Sequence, residues 1–252
     1  MESLKSVDLN VDIGEGFPHD EALLSFASSA SVCCGEHAGS RDLTERTVDL
    51  CRRKRVRIGA HPGYPDRASM GRRPLAPGEE RPYLDSLFDQ VRWFVREFEP
   101  AYLKPHGAFY NDTSVPLPEG WDVPSDGLTQ YGSGGKFLAQ TAGIQSLAMM
   151  LRVFRLDLMG LPGGAHAEAA SRAGRNLIAE GFADRRLLPN GQLMPRSEPN
   201  AVTTDEDQVV INAIALAPVV QTICLHGDTP NCLRLAERVH KGLRDAGFRI
   251  SA

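Results

Sequence analysis

The sequence predicts an α/β fold of parallel strands and crossover helices, closed into a (β/α) barrel in preference to an open doubly wound sheet. Three observations predict it. Seven short runs rich in β-branched and apolar residues recur along the 252 residues, each followed by Gly or Pro and then by a helical pattern. Polar residues end nearly every run, as expected when site-bearing groups ring the whole C-terminal face of a barrel and do not gather at one switch point. A single-domain α/β barrel takes about 250 residues, so one domain would use the chain from residue 1 to residue 252.

The strands are expected at 7–13, 31–35, 56–60, 101–104, 156–161, 176–181 and 222–225. Helical patterns follow at 20–29, 41–53, 77–98, 135–152, 165–173, 205–216 and 230–246. Two helix starts carry clear signals. Asp228-Thr229-Pro230 offers a capping residue before a proline at the first helical position. Thr204-Asp205 precedes Glu206 and Asp207, which puts negative charge where the helix dipole favours it. The stretch 111–134, rich in Pro, Gly, Ser and Asp and carrying Trp121, reads as one long loop suited to a lid or an interface.

Composition narrows the class. With 28 Lys+Arg against 32 Asp+Glu, the net charge of −4 argues against a nucleic-acid partner. It also permits a homo-oligomer without requiring one. No apolar run is long enough to span a membrane, and the first ten residues lack the apolar core of a secretory signal, so a cytoplasmic protein is expected. Five cysteines without a CxxC spacing read as reduced, buried thiols.

Four histidines share one kind of position. His37, His61, His106 and His226 each lie just past an apolar run, with a glycine one or two residues later. Four such residues at the ends of four strands would converge on one mouth of a barrel. In the first strand Asp8, Asn10 and Asp12 alternate with apolar residues and share a face, which is costly inside a barrel unless they are paired. Lys104 stands two residues before His106, and burial there would lower the lysine pKa. Arg72-Arg73 after Gly71 suits a carboxylate or a phosphate. His166 reads equally as a helix start or a site edge, whereas His19, His240 and the basic run 52–55 read as surface.

Histidine and aspartate at strand ends fit a divalent metal, held for instance by Asp12, His61 and His106, and fit metal-free acid–base catalysis equally well. The chain carries no GxGxxG after a strand, no GxSxG elbow and no complete P-loop.

Taken in order, VDLNVDIGEGF, CGEHAG, GAHPGYPD, GRR, KPHGAFYN, ADR and ICLHGDTP resemble the LamB/YcsF family, and they run from residue 7 to about 234. The resemblance implies a seven-stranded TIM-like (β/α) barrel of the glycoside hydrolase/deacetylase type. It also implies a role as one component of an ATP-dependent, three-component 5-oxoprolinase, with ATP as co-substrate handled together with partner subunits. The substrate would be 5-oxoproline or a similar small molecule. Under that resemblance Asp12, His61 or His106 would orient or deprotonate water, while Lys104, His37 and His226 would stabilise charge. Arg73 or Arg185 would hold the substrate carboxylate, with Asn10, Glu15, Asp184 and Asp228 completing the substrate contacts. A metal-dependent deacetylase and a non-catalytic subunit binding small carboxylates are the alternatives. Glu36 and Ser40 stand where the family motif GFHAGD has an aromatic and an acid, which would change the charge beside the site if both line it.

Overall fold

A computed structural model describes residues 5–76, 78–115, 136–196 and 198–252. Seven parallel strands close into a barrel: β1 (Ser6–Ile13), β2 (Ser29–Cys33), β3 (Arg57–His61), β4 (Tyr102–Leu103), β5 (Asp157–Gly160), β6 (Leu177–Phe182) and β7 (Thr222–His226). They run in the order β2-β3-β4-β5-β6-β7-β1, and β1 pairs again with β2. That last pairing closes the sheet and rules out the open doubly wound arrangement. A two-residue strand, β8 (Arg249–Ile250), adds in parallel to the start of β1.

The helices are α1 (Asp20–Leu23), α2 (Arg41–Lys54), α3 (Glu80–Phe98), α4 (Gly107–Ser114), α5 (Lys136–Phe154), α6 (Ala165–Ala173), α7 (Glu206–Leu216) and α8 (Cys232–Asp245). None of the described helices is long and apolar enough to cross a membrane.

Strand alternation sorts β1 between two environments. Val7, Leu9, Val11 and Ile13 join the apolar layer beneath α2, α7 and α8. Asp8, Asn10 and Asp12 are buried on the other face, inside the barrel, and the cost of burying them is met by partners. Asp8 accepts from the hydroxyls of Ser28, Ser29 and Thr222 at 2.6–2.7 Å. Asn10 donates to the Tyr102 hydroxyl across the barrel at 2.8 Å. Tyr102 fits there because Gly59 on the neighbouring strand has no side chain: a Cβ at that position would lie 2.0 Å from the tyrosine ring. Below the polar layer Tyr102, Met159 and Ile178 form a small apolar plug.

Several local expectations need correction. The first helix stops at Leu23, and β2 starts at Ser29, two residues before the expected strand. Ser28 Oγ holds the Leu9 amide at 3.1 Å, so the chain is already committed to the sheet edge there. The expected cap at 228–230 does not form, because α8 begins at Cys232 after Asn231 in the left-handed region. Thr229 instead turns its hydroxyl to Asp184 at 3.1 Å. Residues 111–114 belong to α4, not to a loop, and the remainder of that stretch, Trp121 included, lies outside the described residues. Asp205 does cap α7, accepting the Gln208 amide at 2.9 Å.

His166 is a fastener within the helical layer. Its Nδ1 accepts the Leu161 amide at 3.1 Å, which leaves Nε2 as the donor to Thr113 Oγ1 of α4, also at 3.1 Å. Burial pushes its pKa down from 6.5 to about 3. As pH falls, the unfolded chain therefore takes up this proton first. The stabilisation is complete above the unfolded value and is lost on the way down to the folded one, at about 1.4 kcal/mol per pH unit. Urea unfolding at pH of about 7, 6 and 5 should show a shallower loss of stability in His166→Asn than in the native protein. Equal slopes would mean that His166 titrates alike in both states.

Candidate active site

The C-terminal ends of the strands open into a cavity of about 520 Å³. Asp12 of β1, His61 of β3, Phe182 of β6 and His226 of β7 line it, together with Glu15, Lys104, His106, Arg185 and Asp228 from the turns that follow strands. The shared mouth expected from strand-end histidines is thus present for His61, His106 and His226. His37 lies behind it, fully buried, with its ring stacked on His106 at 3.9 Å. Gly63 makes that stack possible, since a Cβ there would come within 2.6 Å of His37 Nδ1.

Lys104 is the centre of the buried charge. Its ammonium lies 2.8 Å from Asp12 Oδ1, 2.7 Å from Glu180 Oε1 and 2.9 Å from Cys224 Sγ. Burial alone would lower its pKa, but Asp12, Cys224 and Glu180 outweigh burial and raise it. Burial would likewise raise the Asp12 carboxyl, but His61, Lys104 and His226 hold it below the usual carboxylate range. Glu180 goes the other way: burial raises it, and Lys104 offsets that only in part. The Tyr110 hydroxyl donates to Glu180 at 3.0 Å.

The histidine rings are held by hydrogen bonds at their outer nitrogens. His61 Nδ1 donates to the Lys104 carbonyl at 2.8 Å, and His106 Nε2 donates to the Met70 carbonyl at 2.9 Å. Burial pushes His61 down to about 4 and His106 well below its ordinary value, so both rings are neutral near pH 7. His226 Nδ1 faces the Asp184 carboxylate at 3.0 Å, which aims Nε2 back toward Asp12 Oδ2, 3.8 Å away.

Two residues assigned to substrate do not line the cavity, and a third lines it with its charge already engaged. Asn10 is buried beneath the site, bonded to Ser29 and Tyr102. Asp184 touches His226 and Thr229 and does not line the cavity, so it positions an imidazole. Arg73 reaches the rim, but its guanidinium is engaged by Glu79 at 2.9 Å and Asp66 at 3.2 Å. Its neighbour Arg72 turns inward and pairs with Asp228 at 2.5 Å, and Arg196 reaches the same carboxylate at 2.7 Å. Arg185 lines the cavity, bonded to the Met194 carbonyl at 2.6 Å; burial, with Arg196 nearby, lowers it to about 10. Glu36 and Ser40 do not line the cavity. The Ser40 hydroxyl caps α2 and the Glu36 carbonyl accepts from Arg67.

Glu180, Cys224, Tyr110 and Arg196 were missed from the sequence. Glu180 and Cys224 carried a readable signal, because each sits two residues before a cavity-lining residue on the same face of its strand, Phe182 and His226. Arg196 lies in an irregular segment with no periodicity to read. Among the described residues, ligating atoms converge in two groups, Glu15 with His61 and His106, and Asp12 with Cys224 and His226. The trio Asp12, His61 and His106 suggested by sequence is divided between them.

Relatives of known name match the chain end to end. The A component of 5-oxoprolinase from Neisseria meningitidis serogroup C (strain 053442) is 36% identical, with 99% of this chain and 100% of that one covered. The component of the same name from Streptomyces coelicolor is 38% identical over 98% of this chain and 99% of its own length. Among solved structures, the lactam utilization protein from Thermus thermophilus superposes with a TM-score of 0.73 at 28% identity, covering 98% of this chain and 99% of the other. The pneumococcal virulence factor StrH, at a TM-score of 0.54 and 9% identity over 99% of this chain and 87% of that one, shares the fold alone. The LamB/YcsF signature itself matches residues 7–116 and 139–252, so the chain belongs to the LamB/YcsF family.

Proposed function

We propose that this protein is the A component of an ATP-dependent 5-oxoprolinase, a single barrel that opens the lactam of 5-oxoproline to L-glutamate in concert with partner subunits. The observation that carries the reading is the full-length likeness to proteins of that name, at 36% and 38% identity. The mouth suits the chemistry. A lactam is a poor electrophile at neutral pH, and phosphorylating its carbonyl oxygen at the expense of ATP opens the carbon to water. The ring C–N bond then breaks as the nitrogen takes a proton, and hydrolysis of the resulting acyl phosphate releases phosphate and glutamate. Guanidinium groups at the rim, Arg185 and Arg196, fit a carboxylate or a phosphate. Asp12, held ionised beside the Lys104 ammonium, accepts the proton of the attacking water. Lys104 donates to the negative charge that develops on the carbonyl carbon's oxygen. His226, steered by Asp184, stands ready to relay a proton.

A second reading, metal-assisted amide hydrolysis such as deacetylation, is favoured by one feature, the convergence of Glu15, His61 and His106. The deciding experiment is ATP-dependent glutamate release from 5-oxoproline by the purified protein, alone and with candidate partner subunits. Release is expected only when ATP and partners are both present. Carboxylate binding without turnover in every combination would instead mark a non-catalytic role.

A further inference from the structure

We infer that Glu15, His61 and His106 form a binding site for one divalent transition-metal cation at the wall of the cavity. The argument begins with where the imidazole protons must be. A backbone carbonyl can only accept, so His61 carries its hydrogen on Nδ1 toward the Lys104 carbonyl at 2.8 Å. His106, for the same reason, carries its hydrogen on Nε2 toward the Met70 carbonyl at 2.9 Å. The two inner nitrogens, His61 Nε2 and His106 Nδ1, are then both bare lone pairs, and they face each other at 3.0 Å. Carboxylates surround them: Glu15 Oε1 is 3.2 Å from His106 Nδ1, and Asp12 Oδ2 is 3.5 Å from His61 Nε2. Acceptors facing acceptors in a buried position are costly unless something positive sits between them.

One shared proton can bridge only two of these atoms. A cation can serve three, and two of the three spacings fit one. Ligands about 2.0–2.2 Å from a common metal, at tetrahedral or right angles, lie about 3.0–3.5 Å apart. The inner nitrogens at 3.0 Å and the nitrogen–carboxylate pair at 3.2 Å agree with that, and all three ligating atoms lie within 4.8 Å of one another.

The surroundings favour this group over the other convergent one. Asp12 and Cys224 already share the Lys104 ammonium, at 2.8 and 2.9 Å, and a second cation there would be repelled. Glu15 has an outer partner instead. His37 Nε2 approaches Glu15 Oε1 at 3.4 Å, and the His37 ring stacks on His106 at 3.9 Å. Such outer contacts hold metal ligands in place. Glu15, His61 and His106 all line the cavity, so the remaining coordination positions are open to a water or a small ligand. Two imidazoles and a carboxylate select borderline cations such as Zn²⁺, Co²⁺ or Ni²⁺ over Mg²⁺, which prefers an all-oxygen shell.

This inference concerns the cation and stands whether or not the protein opens a lactam. The full-length, tag-free protein, stripped with a chelator, is titrated with Co²⁺ and followed by visible ligand-field absorption. One equivalent should bind, Zn²⁺ should displace it, and Mg²⁺ should not. Glu15→Gln and His106→Asn, each checked for folding by thermal unfolding, should weaken uptake by more than about 100-fold, beyond what loss of an outer-shell contact does. His226→Asn should retain the native affinity. Absence of saturable absorption in the native protein overturns the site, and that result does not depend on how any variant folds. Uptake that survives both substitutions, or that is lost only in His226→Asn, overturns it as well. So does a nitrogen-15 spectrum showing a protonated histidine pair in a protein that takes up no metal.

Discussion

Replacing Lys104 with methionine is expected to destabilise the fold by about 3–5 kcal/mol, because it strands buried carboxylates without their counter-charge. The side chain is only 2% exposed, and two acids, Asp12 and Glu180, lie within 2.8 Å of its ammonium. Methionine keeps much of the volume but none of the charge, so Asp12 and Glu180 face each other's negative charge in a dry interior. Glutamate release by the reconstituted complex should fall by about 10²–10³, the loss typical of removing one donor to a developing oxyanion. Urea unfolding and turnover measured on the same preparation check both parts. An unfolding midpoint equal to that of the native protein would show that the three groups are not coupled as the distances require.

Asp12→Asn separates chemistry from stability. Asparagine fills the same space and still offers an oxygen to Lys104, which keeps its charge partner Glu180. The cost in folding should therefore be smaller than for Lys104→Met. The variant cannot accept a proton, so kcat should fall by about 10²–10⁴ with KM little changed. Combining the two substitutions should cost less stability than their sum, by about 0.5–3 kcal/mol, because the second change no longer breaks an ion pair. A variant that retains full turnover with both partners and ATP would remove Asp12 from the proton-transfer role and shift attention to His226, which faces it at 3.8 Å.

Much of this site was legible along the chain. Alternation in β1 already put Asp8, Asn10 and Asp12 on one face, and the strand-final positions of His61 and His226 put them at one rim. The same logic, carried to β6, would have found Glu180, a lone acid in an apolar run on the face that also bears Phe182. It could not have found Arg196, which meets Asp228 only because the irregular segment after β6 folds back over the mouth. Nor could it have separated Arg72 from Arg73. Adjacent and chemically identical, they differ in whether Asp228 or Glu79 lies within reach.

What periodicity encodes, this chain displays plainly. Seven strand–helix units, the inward face of each strand and the rim position of the histidines all follow from residues close in sequence, because side-chain direction repeats every two residues in a strand. Closure of the barrel, the threefold partnership of Lys104 and the opposed lone pairs of His61 and His106 join residues dozens to more than a hundred positions apart. Charge state and hydrogen-bond direction depend on distances of a few ångströms, since hydrogen bonds weaken steeply beyond contact and Coulomb energy scales inversely with distance. The sheet sets those distances when it closes, and with them whether Lys104 is a lowered base, as a buried lysine alone would be, or the raised cation between two acids that it is here.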